Sequence, residues 1–231
     1  MRIRILTLLM ISALLIPGAN AALTLYISDG TTNVLVTDNG AGDANGTTGA
    51  ITYNGPIGGN WTVSVVTGLS KPLTSNPSGD IDLNAVQASS AAGGDLTIIL
   101  ADNGWPGQPG GGVVTLSIGG TLAGGATLDA QAWVDNSGGL PTLANPMPVG
   151  AVKVADTLNI TTSPFAVVAS GAINPLTAGF TLIEKTVLHH VGQGNTSYDG
   201  EVTIPEPATL TLLGGALLLS GRLLRRKLSR T

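Results

Sequence analysis

From residue 23 to residue 204 the chain is a succession of short β-branched runs set between Gly, Asn, Asp and Pro, and nowhere there do apolar residues recur at helical spacing. That pattern leaves a sandwich or a barrel, because each alternating run can bury one face against a second sheet and no helix is present to do so. Leu23, Leu25 and Ile27 alternate with Thr24, Tyr26 and Ser28, and Asp29-Gly30 supplies a turn into 33–37.

Similar runs lie at 50–53, 60–67, 81–88, 95–101, 112–118, 126–135, 152–161, 165–169, 181–191 and 197–204. The expected architecture of residues 22–204 is therefore all-β: one sandwich of about ten short antiparallel strands, preferred over a closed barrel. Trp61, Val63 and Val65 share one strand face. Leu128, Ala130, Ala132 and Val134 share another, with Asp129, Gln131 and Asp135 opposite. The Pro-rich piece 141–148 is an irregular loop, and 181–191 with 197–204, flanking Gly192-Gln193-Gly194-Asn195, predicts a hairpin. A span of about 180 residues suits one domain that buries roughly 70% of its unfolded surface. With no cysteine in the chain, that domain stands on packing and backbone pairing alone.

The two ends differ from this span. Arg2 and Arg4, an apolar run from 5 to 16, and the small-residue site Ala19-Asn20-Ala21 predict a signal peptide over 1–21, cleaved after Ala21. At the other end, Pro205-Glu206-Pro207 makes a stiff extended segment. The apolar run that follows carries no charge from 208 to 221, and counted to 224 it makes about 25 Å of helix, a little short of a membrane's hydrocarbon core of ~30 Å. Arg222, within its last turn, can snorkel to the interface, and Arg225, Arg226, Lys227 and Arg230 form a basic stop. The positive-inside rule then keeps the C-terminus in the cytoplasm and the β domain outside.

Pro205-Glu206-Pro207, its continuation Ala208-Thr209-Leu210, an apolar helix with the pair Gly214-Gly215, and an Arg/Lys-rich end together resemble the PEP-CTERM sorting signal of Gram-negative bacteria. Residues 205–231 carry that resemblance, with Arg222 an early interruption of the apolar run. It implies an exosortase-type membrane enzyme as partner, processing near the Pro-Glu-Pro, and an association with extracellular polysaccharide and biofilm matrix. The expected route is export, anchorage in the inner membrane, and then release to the cell surface or beyond.

Three lysines against thirteen acids leave the exported segment at −10, a balance that excludes nucleic acid and anionic lipid as surface partners. Catalysis finds little support. The only histidines, His189 and His190, are strand neighbours that point to opposite faces, so they serve neither one catalytic site nor one zinc. Asp129 and Asp135 share a face but stand roughly 20 Å apart along the strand, too far for a glycosidase pair.

Calcium has two candidate stretches. Asp38, Asp43 and Asn45 cluster among glycines as a hard-cation loop would, or as ordinary tight turns would. Asp80-Ile81-Asp82-Leu83-Asn84 opens like an EF-hand loop, but Ala85 stands where Gly is required and Ala91 where the bidentate Glu belongs. Of the tryptophans, Trp61, Trp105 and Trp133, the one followed by Pro106-Gly107 is placed in a loop, which makes Trp105 the candidate for stacking on a sugar. The expected function is an exported surface or matrix protein with no enzymatic activity and no cofactor. A module binding exopolysaccharide is the alternative, with a hydrolase third.

Overall fold

The computed structural model describes residues 23–74 and 76–205. The signal segment with Ala19 and Ala21 lies outside the described residues. So do Glu206, Pro207, the 208–224 run, Arg222, Arg225, Arg226, Lys227 and Arg230. Among the described residues no helix is long and apolar enough to cross a membrane.

Twelve strands form. In chain order they are β1 (Thr24–Ser28), β2 (Asn33–Thr37), β3 (Ala50–Ile57), β4 (Trp61–Leu69), β5 (Asp80–Ser90) and β6 (Gly94–Trp105). Then come β7 (Gly112–Thr121), β8 (Thr127–Asp135), β9 (Ala151–Ile160), β10 (Phe165–Ile173), β11 (Phe180–His190) and β12 (Gly194–Thr203). They pair antiparallel into two six-stranded sheets, β2-β1-β6-β11-β8-β9 (sheet A) and β10-β7-β12-β5-β4-β3 (sheet B). The all-β expectation holds, with twelve strands in place of about ten.

The expected hairpin of β11 and β12 does not form. β11 pairs with β6 and β8 in sheet A, and β12 with β5 and β7 in sheet B, so the Val191–Gln193 corner carries the chain from one sheet to the other. The physical reason lies in side-chain direction. The even-numbered residues Leu182, Leu188, Tyr198 and Val202 on both strands are buried in one core, which requires the strands to face each other across it.

That core fills the space between the sheets. Leu25, Ile27, Leu96, Ile98, Leu100 and Leu182 from sheet A meet Val63, Val65, Ile81, Leu83, Leu116 and Val202 from sheet B. At about 25 cal/mol per Å² of apolar surface, burying such side chains supplies most of the driving force in a chain without disulfides. Along one side of the sandwich the sheet edges close on each other. A Cβ on Gly171 of β10 would stand 1.5 Å from the Val154 carbonyl of β9, so only glycine permits the approach. A smaller cluster, Tyr26, Ile99, Ala101 and Ile183, lies on the outer face of sheet A under Leu140 and Met147 of the Pro-rich loop. The chain enters the fold at Leu23, which is wholly buried, and leaves at Ile204. The Ile204 N–H donates to Gly79 O and its carbonyl accepts from Asn76 Nδ2, while Pro205 is exposed.

Candidate functional site

Trp105 is not a loop residue. It closes β6 and is 1% exposed, its indole N–H donating to the Asp102 carbonyl at 3.0 Å. The Lys71 ammonium lies 4.2 Å above its ring centre and 2.5 Å from Asp102 Oδ2, which Ser70 Oγ also reaches. Burial pulls the Lys71 ammonium below its ordinary value, and Asp102 opposes that pull. Ser70 and Asp102 are wholly buried, so this Ser-Lys-Asp cluster braces the base of β6 out of reach of a substrate. The expected exposed loop position of Trp105 is thereby corrected: a ring 1% exposed offers no platform for stacking a sugar. Trp61 is buried as well, 4.9 Å from the His190 ring, and Trp133 is half-buried with its N–H on Gln131.

His190 is buried and His189 exposed, as alternation requires. Ser90 Oγ donates to the Gly192 carbonyl at 3.0 Å, so its contact with His190 Nδ1 at 2.8 Å is received from the imidazole N–H. Nε2 is then left to accept from Thr196 Oγ1 at 2.8 Å, and Thr196 in turn accepts from Ala123 N. This wiring is the reverse of an activated serine, whose base must take the hydroxyl proton. Burial, with His189 beside it, lowers the tendency of His190 to charge.

Asp38, Asp43 and Asn45 are committed to their own turn. Asp38 Oδ2 accepts from Gly49 N at 2.8 Å, and Asp43 accepts from the N–H groups of Asn39, Asn45 and Thr52. Asn45 Oδ1 accepts from Thr47 N at 3.0 Å. Those contacts are what Asx residues make in tight turns. Asp129 accepts from Asn159 N, and Asp135 is buried beneath Ser137 and Gly139.

The outer side of sheet A offers a recess for a ligand. A groove of about 350 Å³ runs across β1, β6 and β11, with Pro146 and Met147 of the Pro-rich loop as one wall. Tyr26, Ile99 and Val187 form its apolar floor, and Ser28, Asp29, Asp95, Thr97 and Lys185 its polar rim. Lys71 pairs with Asp102 and Lys153 with Asp156. Lys185 is the one lysine among the described residues without a carboxylate partner. Asp95 holds His189 at 2.6 Å. The backbone N–H of Thr32 keeps the Asp29 carboxyl below its usual range, the opposite of what a general acid needs. An apolar floor rimmed by hydroxyls, two carboxylates and one lysine without a carboxylate partner suits a polar, hydroxyl-bearing ligand. None of these groove residues was singled out from sequence, because three strands far apart in the chain assemble it.

No protein-family model and no curated protein matches the chain. Among solved structures it is similar to the K1 cleaved adhesin domain of Lys-gingipain from Porphyromonas gingivalis W83. There the identity is 11% over 68% of this chain and 91% of that one, with a TM-score of 0.34. The adhesin domain of Epf from Streptococcus pyogenes overlaps at 9% identity over 79% of this chain and 58% of that one, with a TM-score of 0.39. TmCBM61 in complex with β-1,4-galactotriose overlaps at 17% identity over 63% and 88%, with a TM-score of 0.30. Overlaps of this size assign no function.

Proposed function

We propose that this chain is an exported, non-catalytic cell-surface or extracellular-matrix protein, delivered by a C-terminal sorting tail that a membrane enzyme of the exosortase type processes. The observation that carries the reading is the order of devices after β12: Pro205-Glu206-Pro207, an apolar run over 208–224 broken only by Arg222, and a basic stop. The position of the motif supports it. Among the described residues Ile204 is the last tied into the sandwich, and Pro205, the first residue of the motif, is exposed. Two prolines hold the acid in an extended, preorganised form, which lowers the entropy cost of capture.

Glu206→Gln tests the reading. As a mere spacer the segment works by stiffness, and loss of one charge changes nothing. As a recognition motif it needs the carboxylate. In the native host the variant is expected to accumulate as full-length, membrane-bound protein, visible as a larger band in the membrane fraction. Normal processing of both Glu206→Gln and Pro205→Ala would contradict the proposal.

A second reading, binding of an exopolysaccharide, is favoured by the groove on sheet A, with its apolar floor and its Lys185 free of a carboxylate partner. Lys185→Glu is expected to abolish retention on such a polysaccharide in affinity electrophoresis. Unchanged retention would remove the groove from that role.

A further inference from the structure

The end of the sandwich from which the chain leaves at Ile204 has a surface of its own. In sheet B the pairings of Thr203 with Asp80 and Thr115, and of Ile173 with Gly112, define that end. In sheet A, Asp135 meets both Thr181 and Ala151 there. Loops 106–111 and 174–179 cross between the sheets at this end, beside the Pro-rich loop 136–150, and none of the three holds a charged residue. Hydrogen bonds tie the exit to that loop. Ile204 N–H donates to Gly79 O, Gln108 Nε2 to Ser78 O, Gln108 N–H to Leu176 O, and Thr177 N–H to Asn136 Oδ1.

Among the described residues eight large apolar side chains are exposed, and five of them, Leu73, Val113, Leu143, Val149 and Val152, stand at this end. Of the other three, Val168 lies mid-strand, and Leu158 and Val191 lie toward the far end. Leu143 is 55% and Val149 98% exposed, both on the Pro-rich loop. Scattered apolar side chains are ordinary, but a group gathered around a chain exit points to a partner.

The length of chain beyond the exit says which partner. Only Pro205, Glu206 and Pro207 separate Ile204 from the apolar run at 208. Three residues span at most about 11 Å when fully extended. The interfacial layer outside the hydrocarbon core is itself roughly 6 Å thick on each side. An anchored run therefore keeps this end of the sandwich at the bilayer surface.

We propose that before processing this end rests on the lipid surface, with Leu143 and Val149 in the interfacial layer; the inference rests on the reading of 208–224 as an anchor. The contact is apolar, not electrostatic. Loop 136–150 brings no charge to desolvate, and Pro141, Pro146 and Pro148 remove backbone N–H groups that would otherwise need partners there. Two aliphatic side chains bind lipid weakly by themselves. A short tether raises their effective concentration to about the millimolar range, so the weak contact is populated. The seat also keeps Pro-Glu-Pro at the level where a membrane enzyme works.

The test uses the full chain in phosphatidylcholine vesicles, and the absence of cysteine lets one probe be placed at a time. An environment-sensitive fluorophore on Ala144→Cys, an exposed position of the Pro-rich loop, is expected to be quenched by lipid spin-labelled near the top of its acyl chains. The same fluorophore on Val191→Cys, at the far end, is expected to stay bright. Adding Leu143→Ser and Val149→Ser should remove most of the quenching at Ala144→Cys while the protein still floats with the vesicles. Quenching that survives those two substitutions would show proximity without contact and overturn the proposal. In protein that floats, no quenching at Ala144→Cys, or equal quenching at both probes, would overturn it with the anchor reading left standing. A blue shift at Ala144→Cys without lipid quenching would overturn it in favour of a second copy of the chain. A full chain that does not float would contradict the anchor and the proposal together.

Discussion

Glu184→Leu is expected to raise the melting temperature at neutral pH by about 5 °C. The side chain is wholly buried, and neither of its oxygens has a hydrogen-bond partner. The estimate follows from about 2 kcal/mol for removing an unpartnered buried polar group and 2–4 °C per kcal/mol in a domain of this size. Leucine fills nearly the same space between β11 and β12 without a carboxyl to desolvate, and Gly200 leaves room for it. Burial, with the charges of Asp82 and Glu201 added, holds the Glu184 carboxyl well above its ordinary 4.5. An unfolded chain gives up that proton near 4.5 while the folded one keeps it. The native state therefore binds more protons above that pH, and stability falls as pH rises toward the folded value. Asp80 adds the same sign, but its contribution ends at about 6. The discriminating window thus opens above about pH 6, where Glu184 goes on lowering the stability of the wild type and Glu184→Gln removes that contribution. Melting curves across that range decide the matter, and parallel slopes would show that Glu184 is not the titrating group.

Trp105→Ala carries the second large effect, in the opposite direction. A buried tryptophan replaced by alanine costs about 3–5 kcal/mol, or roughly 10 °C for a domain of this size. The loss has identifiable parts: the indole hydrogen bond to Asp102 O, the face beneath Lys71, and the packing at the end of β6. A surface ring that stacks on sugars behaves differently. Its removal lowers binding and leaves the melting temperature in place. Differential scanning calorimetry of Trp105→Ala separates the two, and an unchanged transition would restore Trp105 as a ligand platform.

Strand positions were legible because each run alternates and is bounded by residues that end strands. Most boundaries moved by one to four residues, and β6, like β3 and β10, ran four residues past its expected end, through Asn103 and Gly104 to Trp105. Pro106 marked the end of the strand, but Gly104 looked like part of the loop before it, and so the tryptophan was misplaced. Pairing was not legible. β5 and β12 are separated by more than a hundred residues, and nothing local says that Asp82 faces Glu201. Inside and outside were ambiguous on β11 for a further reason. Phe180, Leu182 and Leu188 face the core, yet Ile183 is also buried, beneath the Pro-rich loop. With apolar residues on both faces, alternation could not tell whether Glu184 or Lys185 pointed inward. The tail's expected role rests on linear order alone, and from Glu206 onward it lies outside the described residues.

That tail carries the central claim, and its chemistry is open to one direct reading. Mass spectrometry of the protein recovered from the surface of its native host measures where the mature chain ends. The account predicts a C-terminus at or near Pro205-Glu206-Pro207, with the apolar run and Arg225-Arg226-Lys227 removed. A surface-located chain that still ends at Thr231 would contradict it.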